Sequence, residues 1–221
     1  ANNTISADQV ICTGTAPAKL TGSQPGGGTG SYTFYWEAAG TDGVFRKVNN
    51  SASADLTVGI LTSTTSFRRV VESGPCQHVS NVVTITVSPV ISNNTIGLNQ
   101  SIFRGQTPAP LSGTNPSGGA GAGTYTYLWE SSHTQQGGYQ PAAGINNGRH
   151  YTPAALHEST WFRRRVFSGG CETTSDPVLI EVHKGVTNNN IYSDQVICAG
   201  NKPATLSGST PVGGDGDFLY L

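Results

Sequence analysis

The sequence predicts an all-β chain built from tandem sandwich modules, and three observations lead there. The first is repetition: Asn2-Asn3-Thr4-Ile5, Asn93-Asn94-Thr95-Ile96 and Asn188-Asn189-Asn190-Ile191 open three successive copies of one pattern. The second is periodicity. Apolar residues alternate with polar ones at period two, and no long segment has the spacing of an amphipathic helix. The third is punctuation, since 29 glycines and 12 prolines break the chain into short runs suited to strands and turns. The repeats set expected boundaries at 1–91 and 92–186, with residues 187–221 as the N-terminal part of a third copy. Aligned on the first copy, the position after Leu221 is that of Trp36, so the sequence reads as a window onto a longer array.

Within the first copy the expected strands lie near residues 3–6, 9–12, 18–22, 31–37, 44–48, 55–58, 64–72 and 79–87. The run 31–37 is the clearest: Tyr32, Phe34 and Trp36 share one face, Thr33, Tyr35 and Glu37 the other. The second copy keeps that aromatic face as Tyr125, Tyr127 and Trp129, while the opposite face changes from Tyr35 to Leu128, so the aromatic face is the core face. Phe67, Arg69 and Val71 likewise share a face of the run 64–72. Pro25-Gly26-Gly27-Gly28, Pro116-Ser117-Gly118-Gly119 and Pro211-Val212-Gly213-Gly214 precede the aromatic strand in each copy. Regular short strands with such turns indicate immunoglobulin-like sandwiches. The links Ser88–Ser92 and His183–Thr187 lack flexible Gly/Ser runs, which predicts a stiff array.

Composition removes several functions. Only 11% of residues are charged and the net charge is −1, which excludes the basic face that nucleic acid requires. It also argues against a polybasic membrane-binding surface. No stretch approaches the roughly 20 apolar residues of a membrane-inserting span. The chain starts at Ala1 without a basic-then-apolar signal, so any export signal is expected outside this window.

Four cysteines carry the strongest constraint. Cys12 precedes the aromatic strand, and Cys76 sits in the turn Ser73-Gly74-Pro75-Cys76. Pairing Cys12 with Cys76 inside the first repeat would stabilise it by about 4 kcal/mol through loop closure. The rival pairing joins neighbouring repeats, as in Cys12 with Cys171. Phe103 occupies the Cys12 position in the second copy, which leaves Cys171 without a partner in its own repeat; the partner of Cys198 would lie beyond Leu221. Spacing alone cannot choose between these pairings. Persistent disulfides imply an oxidising compartment. No C-x-x-C or local Cys/His set points to a metal or other cofactor.

The string Tyr125-Thr126-Tyr127-Leu128-Trp129-Glu130, then Tyr151–Leu156, Thr160–Arg164, Ser168-Gly169-Gly170-Cys171 and a closing β-run has a familiar form. It resembles the immunoglobulin-like or PKD-like tandem repeats of very large Bacteroidetes surface proteins, including gliding-motility adhesins exported by the type IX secretion system. The resemblance covers every copy. It implies an extracellular, cell-surface array that presents or forms an adhesive filament, with neighbouring repeats of the same chain, like filaments or surface polysaccharide as partners.

Other side chains yield narrower expectations. Arg69 and Arg164 point with core-facing Phe67 and Phe162, so each needs a carboxylate or carbonyl partner. Outward Arg68 and Arg163 are placed to pair across the sheet with Glu37 and Glu130. Trp161 replaces Ser66 on the outer face of its strand and, with Tyr139 and Tyr151, marks the divergent middle of the second repeat as the candidate polysaccharide contact. Asp215-Gly216-Asp217 could contribute to a calcium site, although the first copy has Thr29-Gly30-Ser31 there. No nucleophile motif or repeated carboxylate pair supports a catalytic site, so no enzyme is expected.

Overall fold

The computed structural model describes residues 2–214 and 216–220. Among them every regular element is a strand. The first repeat contains β1 (Gln9–Cys12), β2 (Thr33–Ala39), β3 (Arg46–Lys47), β4 (Thr65–Ser73), β5 (Cys76–Val79) and β6 (Val83–Ser88). The second contains β7 (Gln100–Phe103), β8 (Thr126–Ser132), β9 (Gln140–Pro141), β10 (Thr160–Ser168), β11 (Cys171–Thr174) and β12 (Val178–Thr187). β13 (Ile191–Tyr192), β14 (Ser207–Gly208) and β15 (Val212–Gly214) follow. The architecture is tandem immunoglobulin-like β-sandwich. Two compact units emerge, and their limits differ from the repeat boundaries. One takes residues up to Asn94 together with Thr114–Tyr127 and Arg165–Thr174; the other takes Thr95–Gly113, Leu128–Arg164 and the residues from Ser175 on.

In the first unit the regular sheet runs β1-β6-β4-β2-β3, with β5 alongside β4. β1 joins β6 in parallel, Ile11 opposite Val87 and Cys12 opposite Ser88; the other pairings are antiparallel. The expected strands near 3–6, 18–22 and 55–58 form isolated bridges instead, Ile5 to Gly22 and Leu20 to Leu56. They still deliver Ile5, Leu20 and Leu56 into a core with Trp36, Phe67, Val83 and Ile85. The layer opposite the sheet is therefore extended chain held by isolated backbone bonds, such as the pair exchanged by Leu20 and Leu56, and by core packing rather than by a continuous ladder. Trp36 is fully buried and its indole N–H donates to Ser53 O at 3.0 Å, which satisfies the one polar atom it brings inside.

The second unit builds the same core with different residues: Leu111, Trp129, Ala142, Tyr151, Phe162, Val178 and Ile180. Trp129 repeats the indole bond, here to Gly148 O at 2.9 Å. β7 lies parallel to β12 with Phe103 opposite His183, the register that Cys12 holds opposite Ser88.

The paired asparagines that open each copy now have a physical reason. Asn93 and Asn188 adopt left-handed backbone (φ 57° and 59°), a conformation asparagine tolerates better than most residues. Their amides donate to Asn115 O and Thr210 O, as Asn2 does to Gln24 O. Each repeat start is thus tied to the glycine-rich loop that follows.

Candidate functional site

Cys12 is bonded to Cys171, across a sequence separation of 159 residues and with 4.7 Å between Cα atoms. The expected Cys12–Cys76 pair does not form, and strand geometry explains why. Thr65 at the start of β4 faces Ile85 of β6, so Cys12, at the far end of β6, lies towards the β4 start. Cys76 pairs with Ser73 at the β4 end. Nine residues of strand at about 3.3 Å each separate the two positions, far beyond disulfide reach. Cys76 and Cys198 carry free, exposed thiols.

Around the cystine the first unit forms a small second core. Ile91, Val166 and Cys171 are buried there, with Cys12, Tyr125 and Tyr127 packed against them. Cys171 Sγ lies 3.3 Å from Pro89 O. Glycines bring the backbones together: a Cβ on Gly118 would overlap Val90 O, and one on Gly170 would come within 2.6 Å of Val10 O. Both have positive φ (83° and 74°), so glycine is required twice over, for conformation and for space. Gly119 N donates to Pro89 O at 2.8 Å, and Ser92 exchanges two backbone bonds with Ser117. Link, glycine loop and cystine thus form one packed junction within the first unit.

The buried arginines found the partners the sequence required. In the first unit Arg69 donates through Nε to Asn3 Oδ1 (2.9 Å) and through its terminal nitrogens to Ala54 O (2.8 Å) and Ser23 O (2.7 Å). Burial pulls its pKa down, with Asp55 partly opposing the shift. In the second unit Arg164 donates to Arg149 O at 2.9 Å. A Cβ at Gly22 or Gly113 would overlap the respective guanidinium, so each arginine occupies space a glycine leaves open. On the outer faces Arg68 binds Glu37 at 2.6 Å and Arg163 binds Glu130 at 2.7 Å. An aromatic lid over each of these pairs escaped sequence reading: Arg68 lies over Phe45 and Arg163 over Tyr139, at 4.1 and 4.0 Å from the ring centres. The hairpins bearing Phe45 and Tyr139 differ too much in sequence to reveal that equivalence.

The three aromatic residues singled out in the second repeat do not form one patch. Tyr151 belongs to the core, stacked 5.6 Å from Trp129 with its hydroxyl donating to Ala143 O, and burial raises its pKa. It is corrected from a candidate ligand contact to a core residue, because its strand-like bridge to Leu111 points it inward. Tyr139 and Trp161 remain half-buried; Trp161 shares the outer face of β10 with Arg163, which Tyr139 covers. Among the described residues no group of three His, Cys, Asp or Glu side chains could hold a metal ion, and Asp215 lies outside the described residues. No helix among them is long and apolar enough to cross a membrane.

The family described as "Domain of unknown function (DUF8696)" matches residues 1–89 and again residues 92–184. The chain belongs to this family. Its two matches leave the internal repeat visible as two members in tandem. No curated protein matches. Among solved structures, "Sidekick-1 immunoglobulin domains 1-4, crystal form 1" aligns with 87% of this chain at 13% identity and a TM-score of 0.33. The chain spans 52% of that structure's length.

Proposed function

We propose that this chain is a structural and adhesive repeat segment of an extracellular surface protein, with residues 1–91, 92–186 and 187–221 as its successive repeats. The Cys12–Cys171 bond carries the reading, because it fastens one repeat to the next instead of stapling a single sandwich. A bond so placed is useful when the array is pulled, and it belongs to an oxidising compartment. The resemblance to gliding-motility adhesins exported by type IX secretion supports a bacterial surface as the setting. No enzymatic activity is part of this proposal.

Stretching the chain from its ends tests the mechanical claim. Under oxidising conditions the 159-residue loop is shielded. At about 3.4 Å per residue, reduction should add roughly 540 Å of contour length. Equal extension with and without reductant would overturn the braced-array reading. Limited proteolysis of intact source cells tests the location: release of the chain is expected, and a fully protected intracellular pool would exclude the surface.

A second reading is recognition of polysaccharide by the outer face bearing Trp161 and Tyr139. Its support is that Trp161 stands where the first repeat has Ser66, which is hydrogen-bonded to Thr84. Saturable glycan binding lost in Trp161→Ala would favour this reading.

A further inference from the structure

We infer that the first repeat carries an open socket for the Cys12-bearing pole of another copy of this repeat, and that Cys76 is the cross-linking residue of that socket. The argument rests on an internal comparison. In the second repeat, Gly118, Gly119, Tyr125, Val166, Ser168 and Cys171 receive Cys12 and the link Pro89–Ile91. The corresponding residues of the first repeat are Gly27, Gly28, Tyr32, Val71, Ser73 and Cys76. They line a cavity of about 120 Å³.

The walls of the empty socket already hold the shape of the filled one. Gly27 and Gly28 have φ of 84° and 66°, against 83° and 59° at Gly118 and Gly119. Tyr32 donates its hydroxyl to Gly27 O at 2.6 Å, as Tyr125 does to Gly118 O at 2.8 Å. Ser73 Oγ accepts from Thr29 N and Ser168 Oγ from Ala120 N, each at 2.9 Å. Cys76 is exposed where Cys171 is buried. Little reorganisation therefore opposes docking.

The start of the third copy shows that this packing does not depend on a thiol. In the second unit a Cβ on Gly213 would overlap Gly185 O, as one on Gly118 would overlap Val90 O, and Thr187 pairs with Val212 as Ser92 does with Ser117. Yet the Cys12 register position on β7 is Phe103. Shape seats the link, and cysteine decides which junctions become covalent. The third copy repeats Asp8-Gln9-Val10-Ile11-Cys12 as Asp194-Gln195-Val196-Ile197-Cys198, so a plug thiol recurs along the chain.

The bond forms by exchange with a disulfide oxidant, such as a glutathione-type or oxidoreductase disulfide. The Cys76 thiolate attacks one oxidant sulfur and expels the other as a thiol. The incoming Cys12-type thiolate then attacks the Cys76 sulfur and expels the second thiol. Two protein thiols are oxidised and one oxidant disulfide becomes two thiols.

The test places a further copy of residues 1–91, carrying Cys76→Ser so that a single Cys76 remains, directly ahead of Ala1 in the full chain. The fusion brings Ile91 before Ala1 as Ile91 naturally precedes Ser92. A non-reducing peptide map should join Cys12 of the added copy to Cys76, while the existing Cys12–Cys171 pair reports that the rest has folded. Under reducing but native conditions, alkylation of Cys76 should slow at least about tenfold relative to the unextended chain, because docking buries it. Val71→Asp in the extended chain should restore fast alkylation. Fast alkylation of Cys76 in the extended chain under those reducing conditions, or an oxidised map in which Cys12–Cys171 has formed and Cys76 is unpaired, would overturn the inference. Because these readouts concern packing and bonding alone, they stand or fall independently of surface location.

Discussion

Cutting the Cys12–Cys171 bridge is the perturbation with the largest calculable effect on this chain. The bond closes a loop with a sequence separation of 159. The chain-entropy relation then assigns it about 5 kcal/mol of stabilisation at 25 °C, an upper figure because the denatured chain retains some structure. The double substitution Cys12→Ser with Cys171→Ser suits the test: a serine hydroxyl at 171 can donate to nearby Pro89 O, so the substitution adds little penalty of its own. Guanidinium denaturation of both proteins, each with and without reductant, gives the comparison. The bridged protein should lose about 5 kcal/mol on reduction, and the serine protein should be indifferent to reductant. Losses should concentrate in the first unit, which contains both cysteines. A difference below about 1 kcal/mol would refute the argument, since it would mean that the junction is held equally well without the bond.

Three further outcomes follow from the same geometry. Arg69→Met removes the guanidinium from Asn3 Oδ1, Ala54 O and Ser23 O and should destabilise the first unit by about 3 kcal/mol, read as a thermal shift of roughly 15 °C; Arg68→Met, losing one partly buried pair with Glu37, should cost about 1 kcal/mol. Gly113→Ala drives a methyl into the Arg164 guanidinium and to 2.5 Å from Arg149 O, and should destabilise the second unit by about 3 kcal/mol in the same measurement. The third concerns alkaline pH. Burial raises the pKa of Tyr151 in the folded state above its ordinary value of 10.0, so the stabilisation tied to its neutral form is complete below that value and is lost as pH rises through the folded pKa. Absorbance titration should show Tyr151 ionising late and together with unfolding, and Tyr151→Phe should remove that late step.

Much of the fold was legible from local pattern. Alternation identified Trp36 and Trp129 as core residues, and both are fully buried. The cross-strand pairs of Arg68 with Glu37 and Arg163 with Glu130 followed from assigning faces, because period two fixes which side of a strand each residue occupies. Continuous strands near 3–6, 18–22 and 55–58 were overestimated. Those segments contribute single apolar residues to the core, and one residue in a bridge satisfies the same pattern as a strand. Tyr151 looked like a surface candidate because it lies in the divergent middle of the second repeat, yet divergence there includes core substitution.

The sequence by itself determined the repetition, the all-β class, the faces of the long strands and the need of Arg69 and Arg164 for polar partners, since these depend on near neighbours and on burial. Only the tertiary structure decided which cysteines meet. Membership of one repeat made Cys12 and Cys76 the expected pair, but the length of β4 keeps them at opposite ends of one sheet. The glycine-loop pole of the second repeat instead brings Cys171 to Cys12, through Val90, Ile91 and a glycine at each close approach. Disulfide pairing is a statement about distance in space, and in a tandem array the nearest partner can belong to the next repeat.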